Sequence, residues 1–150
     1  MTNAKIVIWD NSYATGIELI DSQHKELVTL TNQLYQACIN EEEAVEDAFK
    51  EAMSRMVEYV RFHFSAEQQL LERIGFPNHK SHKELHDALV KNILKAAKEY
   101  DMGRKFVPNN FVRVLKDWVF GHIAFHDKFY AAYVAEQKKK GLLSDKLING

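Results

Sequence analysis

The stretch MVEYVRFHFSAEQQLLERIGFPNHKSHKELHDALVKNI, residues 56–93, decides the fold. Apolar side chains recur at intervals of three and four on both sides of its centre. Met56, Val60, Leu70 and Ile74 come before the centre, and Leu85, Leu89 and Ile93 after it. That is the period of a helix with one face turned to a core. Gly75 and Pro77 stand between the halves. Glycine suits the left-handed residue that closes a helix and proline cannot continue the backbone ladder, so two helices joined by a short connection are expected. His63 and Glu67 lie in the first stripe, His82 and His86 in the second, each pair four residues apart. Such pairs are only about 40° apart around a helix, so they share the face of the apolar residues.

The same period extends outward in both directions. His24, Leu27, Val28, Thr31, Leu34, Tyr35 and Cys38 predict a first helix over residues 21–39. The second helix gains Phe49, Ala52 and Met53 and opens after Asn40 and Glu43, which have the spacing of a capping box. Ser81 and Glu84 have that spacing too and predict the third helix from Ser81, with Ala96 and Tyr100 continuing its face. Gly103 and Pro108 bracket the next break. A fourth helix is expected over residues 109–139, with Phe111, Leu115, Trp118, His122, Phe129 and Tyr133 inward and Lys138, Lys139 and Lys140 at its solvated end. Residues 142–149 predict a short further helix. Residues 1–20 have no long period and are expected to form an extended arm carrying Trp9, Tyr13 and Ile17 as an apolar strap over one end of the bundle. The expected fold is all-α, an antiparallel up-down-up-down four-helix bundle with an extended N-terminal arm. The expected organisation is a single domain over residues 1–150, with the arm at 1–20, the bundle at about 21–139 and a tail at 140–150.

Composition narrows the function. A chain of 150 residues suits one domain by the usual span of about 100–200. Hydrophobic residues at 46% and charged residues at 27% are ordinary for a globular core and argue against disorder. Twenty basic against twenty-one acidic side chains leave a net charge of −1, so nucleic acid and anionic lipid lose their main attraction. The apolar run Ile6–Trp9 is too short for a signal peptide or a membrane span, and Cys38 is the single cysteine. No membrane insertion and a cytoplasmic location are therefore expected.

Seven histidines are unusual, and five of them fall on inward stripes: His24, His63, His82, His86 and His122. One inward histidine is ordinarily a hydrogen-bonded core residue. Five with a glutamate are not, because each buried polar group left unpaired costs roughly 1–3 kcal/mol and the apolar neighbours supply few partners. A metal satisfies all of them together, since neutral imidazole is a common ligand. His-Glu-x-x-His is absent, so a zinc protease is not expected. A tetrahedral zinc site needs only four ligands, so five imidazoles and a carboxylate favour two metals, with iron, manganese and zinc all compatible. Helix four offers two further groups. His126 is four residues after His122 and shares its face on regular geometry, whereas Asp127 is five on and turns inward only through a π-bulge. Two divalent ions in a low-dielectric core favour the anion, so the balance leans to Asp127 with His126 still open.

The order His24, His63-x-x-x-Glu67, His82-x-x-x-His86 and His122-x-x-x-x-Asp127 resembles the hemerythrin family, in particular its single-domain bacterial members. Trp9-Asp10, Gly16-Ile17, Ile20-Asp21-Ser22-Gln23-His24-Lys25, His63-Phe64, Gly75-Phe76-Pro77, Trp118 before His122, and Asp127-Lys128 with Tyr130 extend the likeness from about residue 9 to about 135. The resemblance implies a non-haem centre of two iron ions (Fe2+/Fe3+) that binds dioxygen reversibly. By position, His82, His86 and His122 would hold one iron, and His24 and His63 the other. Glu67 and Asp127 would bridge them together with an oxo or hydroxo group, and His126 would not be a ligand. That scheme leaves one coordination position free, on the iron with two histidines. It implies oxygen transport, storage or delivery and no enzymatic activity, with an O2-consuming enzyme or a redox partner as recipient. The alternatives are O2 or redox sensing, or a di-iron oxidase or nitric-oxide-handling protein. Oxygen-activating di-iron bundles carry Glu-x-x-His motifs, and this chain has none. Leu27, Phe64, Trp118, Val119 and Ile123 are the expected wall of the O2 pocket, a role compatible with ordinary core packing. Two positions depart from the family. Val119 replaces the usual leucine three residues before His122, which is expected to widen the pocket and speed autoxidation, and His126 stands where a small or neutral residue is commoner.

Overall fold

A computed structural model describes residues 5–39, 45–101 and 108–149. The helices are α1 (Glu18–Ile39), α2 (Val45–Arg73), α3 (His79–Asp101), α4 (Pro108–Phe125), α5 (Asp127–Lys139) and α6 (Asp145–Asn149), preceded by one 3-10 turn at Asn11–Tyr13. Among the described residues there is no strand. α1 packs against α2 and α4, and α3 packs against the same two, so consecutive helices are neighbours around a ring. With short connections this is the antiparallel four-helix bundle that the stripes predict, α4 and α5 together making its fourth member.

The second helix follows its stripe closely. From Phe49 through Met56, Val60, His63, Glu67 and Leu70 to Ile74, each expected residue is buried. Its end is a Schellman motif: Phe76 N donates to Leu71 O at 3.0 Å and Gly75 N to Glu72 O at 3.1 Å, with Gly75 at φ 71°. α1 opens at Glu18, earlier than the periodicity places it. The Asp21 carboxylate reaches back to accept from Thr15 N, Thr15 Oγ1 and Gly16 N at 2.8, 2.8 and 3.1 Å, so it holds the turn that leads into the helix instead of starting the helix itself.

Four expectations need correction. α3 begins at His79; Ser81 lies inside the first turn, its hydroxyl donating to Asn78 O at 3.1 Å, and the Ser81–Glu84 capping box does not form. Leu85 is 37% exposed, because α3 turns only the narrow stripe of His82, His86 and Ile93 fully inward. The fourth helix is interrupted at His126, where Phe129 N donates to His126 O three residues back. Beyond that break the register turns, so Phe129 faces solvent at 57% exposure while Tyr130 and Val134 are buried. The arm straps more than one end: Ile17 enters the second cluster, while the start of the arm lies elsewhere. Asn32 clamps it at the side of the bundle, donating to Val7 O at 2.9 Å and accepting from Ile6 N and Val7 N at 2.9 and 3.1 Å. The Asn40–Glu43 box and the Gly103 break lie outside the described residues, as do the side chains of Cys38, Tyr100 and Phe111.

The buried apolar residues form two clusters. Leu27, Leu34, Phe49, Met56, Phe64, Val119 and Ile123 belong to the larger one. Ile17, Ile20, Leu70, Leu71, Phe76, Tyr130, Val134 and Ile148 form the other. α6 closes the second cluster, its last carbonyls accepting from Arg73 at 2.7 and 3.2 Å. His24 lies between Ile20 and Leu27, Glu67 between Phe64 and Leu70, and Asp127 between Ile123 and Tyr130, each pair split between the two clusters, so a polar layer lies between two apolar ones.

Two glycine substitutions separate conformation from space. A Cβ would meet nothing within 4 Å at either Gly75 or Gly121. Gly75→Ala must still hold a left-handed conformation and is expected to lose about 1–2 kcal/mol. Gly121→Ala, inside α4, is expected to gain about 0.5–1 kcal/mol. Urea denaturation of the metal-free chain measures both, and two changes of equal sign would contradict the assignment.

Candidate metal centre

Each helix of the bundle contributes to the polar layer. α1 supplies His24, α2 His63 and Glu67, α3 His82 and His86, α4 His122, and α5 Asp127; none is more than 5% exposed. Glu67, His82, His86, His122 and Asp127 present ligand atoms within 4.8 Å of one another, and so do His24, His63 and Glu67. Glu67 belongs to both groups. Its Oε1 lies 2.9 Å from His82 Nε2 and 3.7 Å from His86 Nε2, while its Oε2 lies 2.8 Å from His63 Nε2 and 3.9 Å from His24 Nε2. Asp127 spans the groups in the same way, with Oδ1 3.0 and 3.1 Å from His122 and His82 and Oδ2 3.4 Å from His24.

Hydrogen bonds satisfy only part of this layer, Glu67 Oε1 pairing with His82 Nε2 at 2.9 Å. Neither Asp127 oxygen nor Glu67 Oε2 receives a correctly directed hydrogen bond despite histidine nitrogens at these distances. The nitrogens also meet each other head-on: His86 and His122 approach through Nε2 at 3.0 Å, His24 and His63 through Nε2 at 3.1 Å. Two ligand atoms each about 2.1 Å from one ion and at right angles lie about 3.0 Å apart, so both pairs have the spacing of neighbours on a metal. Imidazole with carboxylate and no thiolate suits iron, and the residues fit a pair of such ions.

Without metal the layer binds protons instead. Burial opposes a charge on His24 and on His82, but the adjacent Asp127 and Glu67 carboxylates outweigh it and hold both at about 9. Burial wins at His86, which falls to about 3. Burial and the Glu67 charge push Asp127 up, yet His122, His24 and His82 pull it down to about 2. Glu67 is likewise held well below the carboxylate range by His24, His63 and His82, against the effect of burial.

The break between α4 and α5 places the two adjacent candidates on helix four differently. Asp127 is fully buried, while His126 is half-buried, with its ring 5.2 Å from that of His122 and outside both convergent groups. The expected pocket wall is only partly assembled around the centre. Phe64 stacks face-on against His86 at 3.8 Å and 3°, and Leu27, Val119 and Ile123 are buried close by on α1 and α4. Trp118 is half-buried at the edge of the larger cluster. His79 is the half-buried first residue of α3, outside both convergent groups, and its carbonyl accepts from Gln68. The periodicity did not reveal two polar neighbours of the centre. Gln23 meets His63 at 2.7 Å. Tyr130, fully buried, sets its ring 5.5 Å from that of His82, and burial together with the Asp127 and Glu67 charges drives its phenol well above the ordinary range. Their positions beside His24 and three after Asp127 were the available signal.

The chain is similar to known proteins. The family profile described as the hemerythrin HHE cation binding domain matches residues 15–134. A bacteriohemerythrin of Pseudomonas aeruginosa is 29% identical over 144 residues, covering 96% of this chain and 91% of that protein. A hemerythrin-like protein of Naegleria gruberi is 31% identical over 122 residues, covering 81% and 88%. A wild-type hemerythrin crystal structure superposes with TM-score 0.77 at 24% identity over 85% of this chain and 96% of its own, which establishes the common fold.

The proton balance gives a pH test. From 6.5 to about 9 the folded metal-free chain keeps protons on His24 and His82 that the unfolded chain releases, so stability falls as pH rises. Below 6.5 the unfolded chain takes up a proton that His86 refuses until about 3, and below 3.8 Asp127 adds to the loss. The thermal midpoint of the metal-free protein is expected to peak near pH 6.5, and metal loading, which replaces those protons, is expected to abolish the alkaline decline. A metal-free midpoint that rises steadily from pH 6.5 to 9 would contradict the balance.

Proposed function

The chain belongs to the hemerythrin family, whose members carry a non-haem di-iron centre and bind dioxygen, and from that premise we propose that it is a reversible oxygen carrier, serving transport, storage or delivery rather than catalysis. One observation carries this reading: the two carboxylates each turn one oxygen to the His82, His86 and His122 side and the other to the His24 and His63 side. In this proposal His82, His86 and His122 would hold one iron and His24 and His63 the second, with Glu67 and Asp127 available to both. The whole chain acts as one domain. When bound, the iron pair supplies the electrons that hold dioxygen and recovers them on release.

The protein's own part is to keep that exchange reversible. Five neutral imidazoles and two carboxylates supply fewer anions than a carboxylate-rich site, which disfavours the highly oxidised iron that oxygenases use. Phe64, stacked on His86 and 6% exposed, closes the α2–α3 side of the site against water. Leu27, Val119 and Ile123, each at most 1% exposed, belong to the larger apolar cluster, and half-buried Trp118 packs against that cluster. A dry wall slows the arrival of the water and protons that would convert bound dioxygen to an irreversible product. No helix among the described residues is long and apolar enough to cross a membrane. The recipient is an O2-consuming enzyme or a redox partner.

Optical titration of the reduced, iron-loaded protein with O2 tests the proposal. A visible charge-transfer band that develops with O2 and disappears under argon, with recovery of the ferrous state, is the expected result. Irreversible oxidation on first contact would overturn the carrier reading in favour of sensing or oxidase chemistry. In the same assay Val119→Leu, which fills the wall by one methylene, is expected to slow autoxidation severalfold. An unchanged rate would remove Val119 from the wall.

A further inference from the structure

Gln23 stands one residue before His24 on α1 and is 8% exposed. Its amide oxygen lies 2.7 Å from Nδ1 of His63 on α2. An amide oxygen has no hydrogen to give, so Nδ1 of His63 carries the hydrogen and donates it. The lone pair of the neutral ring is then on Nε2, the atom 3.1 Å from His24 Nε2 and 2.8 Å from Glu67 Oε2. Were the amide turned over, its NH2 would make Nδ1 the acceptor. The His63 hydrogen would then sit on Nε2, in the middle of the convergent group and in the way of any cation. The orientation of one glutamine side chain is therefore tied to whether His63 can bind metal at all.

The contact also distinguishes His63 from its neighbours. Nδ1 of His24 and Nδ1 of His86 are as deeply buried and have no hydrogen-bond partner. A histidine that donates its outer N–H is a more basic ligand through its inner nitrogen. Of the two imidazoles on the His24 and His63 side, His63 is thus the stronger donor.

We infer that Gln23 is a positioning residue of the metal centre: its carbonyl oxygen holds the Nδ1–H of His63, fixes the tautomer that frees Nε2, and strengthens this ligand so that the oxidised iron beside it is favoured. The inference rests on the proposed role of His63 as an iron ligand. Gln23 touches neither the metal nor dioxygen and acts only through the imidazole.

Two variants of the iron-loaded protein test it, read by iron loss to a competing chelator and by the reduction potential of the centre. Gln23→Leu keeps the bulk and removes the acceptor. It is expected to hold iron about ten- to hundredfold less tightly and to raise the potential. Gln23→Glu keeps the shape and strengthens the acceptor. It is expected to hold iron at least as tightly as the native chain and to lower the potential, by about 30 mV for each tenfold preference for the oxidised pair. Shifts of opposite sign support the inference. Equal potentials in all three proteins, or shifts of one sign in both variants, overturn it, since a packing defect would act alike in both. Should Gln23→Leu not fold, an unchanged potential in Gln23→Glu alone overturns it. A native chain that fails to hold two irons defeats the underlying di-iron reading instead, whatever the variants do.

Discussion

Five imidazoles and two carboxylates meet in the dry middle of a helical bundle, with too few well-directed donors to serve every buried oxygen among them. Nε2 faces Nε2 at 3.0 and 3.1 Å, and the Asp127 carboxylate lies among histidine nitrogens without one well-directed hydrogen bond. Such a layer cannot satisfy itself. It must take up positive charge, as protons or as metal, or the burial of its polar atoms counts wholly against folding. The rest of the architecture answers to that constraint. The two apolar clusters that flank the layer supply the favourable burial, and their side chains keep water from relieving the crowding.

The interruption at His126 is the local device that completes the layer. A regular helix carries His122 and His126 inward together and turns Asp127 away. With the break between α4 and α5 the anion goes in and the imidazole is left half-buried beside His122. A sixth neutral ligand would add nothing against the charge of two cations, whereas a second carboxylate does. The same break turns Phe129 to solvent and Tyr130 into the second cluster, so one irregularity sets both the site and the packing below it.

Much of this was legible in the chain because burial leaves a periodic trace. The stripe from Phe49 to Ile74 and the paired spacings His63–Glu67 and His82–His86 locate the helices, their inward faces and most of the layer. Periodicity fails where the helix is not periodic: the stripe of helix four runs on past His126 to Phe129, while the break there turns Phe129 to solvent. It fails also where a polar residue does a backbone's work: Asp21 gathers the Thr15–Gly16 turn and Asn32 clamps the arm, and neither spacing announces it. Ser81 and Glu84 have the letters of a cap, but the turn after Pro77 already starts α3 at His79. Gln23 and Tyr130 escape for a different reason. A glutamine beside a charged, exposed run reads as surface and a tyrosine reads as core, until the nitrogen or carboxylate each one faces is known.

Two metal ions joined through shared carboxylates is the claim on which this account stands, and their number and magnetic coupling test it most directly. Iron analysis combined with Mössbauer spectroscopy of the oxidised protein is predicted to give about two irons per chain with a diamagnetic ground state, as expected of ferric ions coupled through bridging oxygen atoms. One iron per chain, or isolated high-spin ferric ions with magnetic splitting at low temperature, would contradict it.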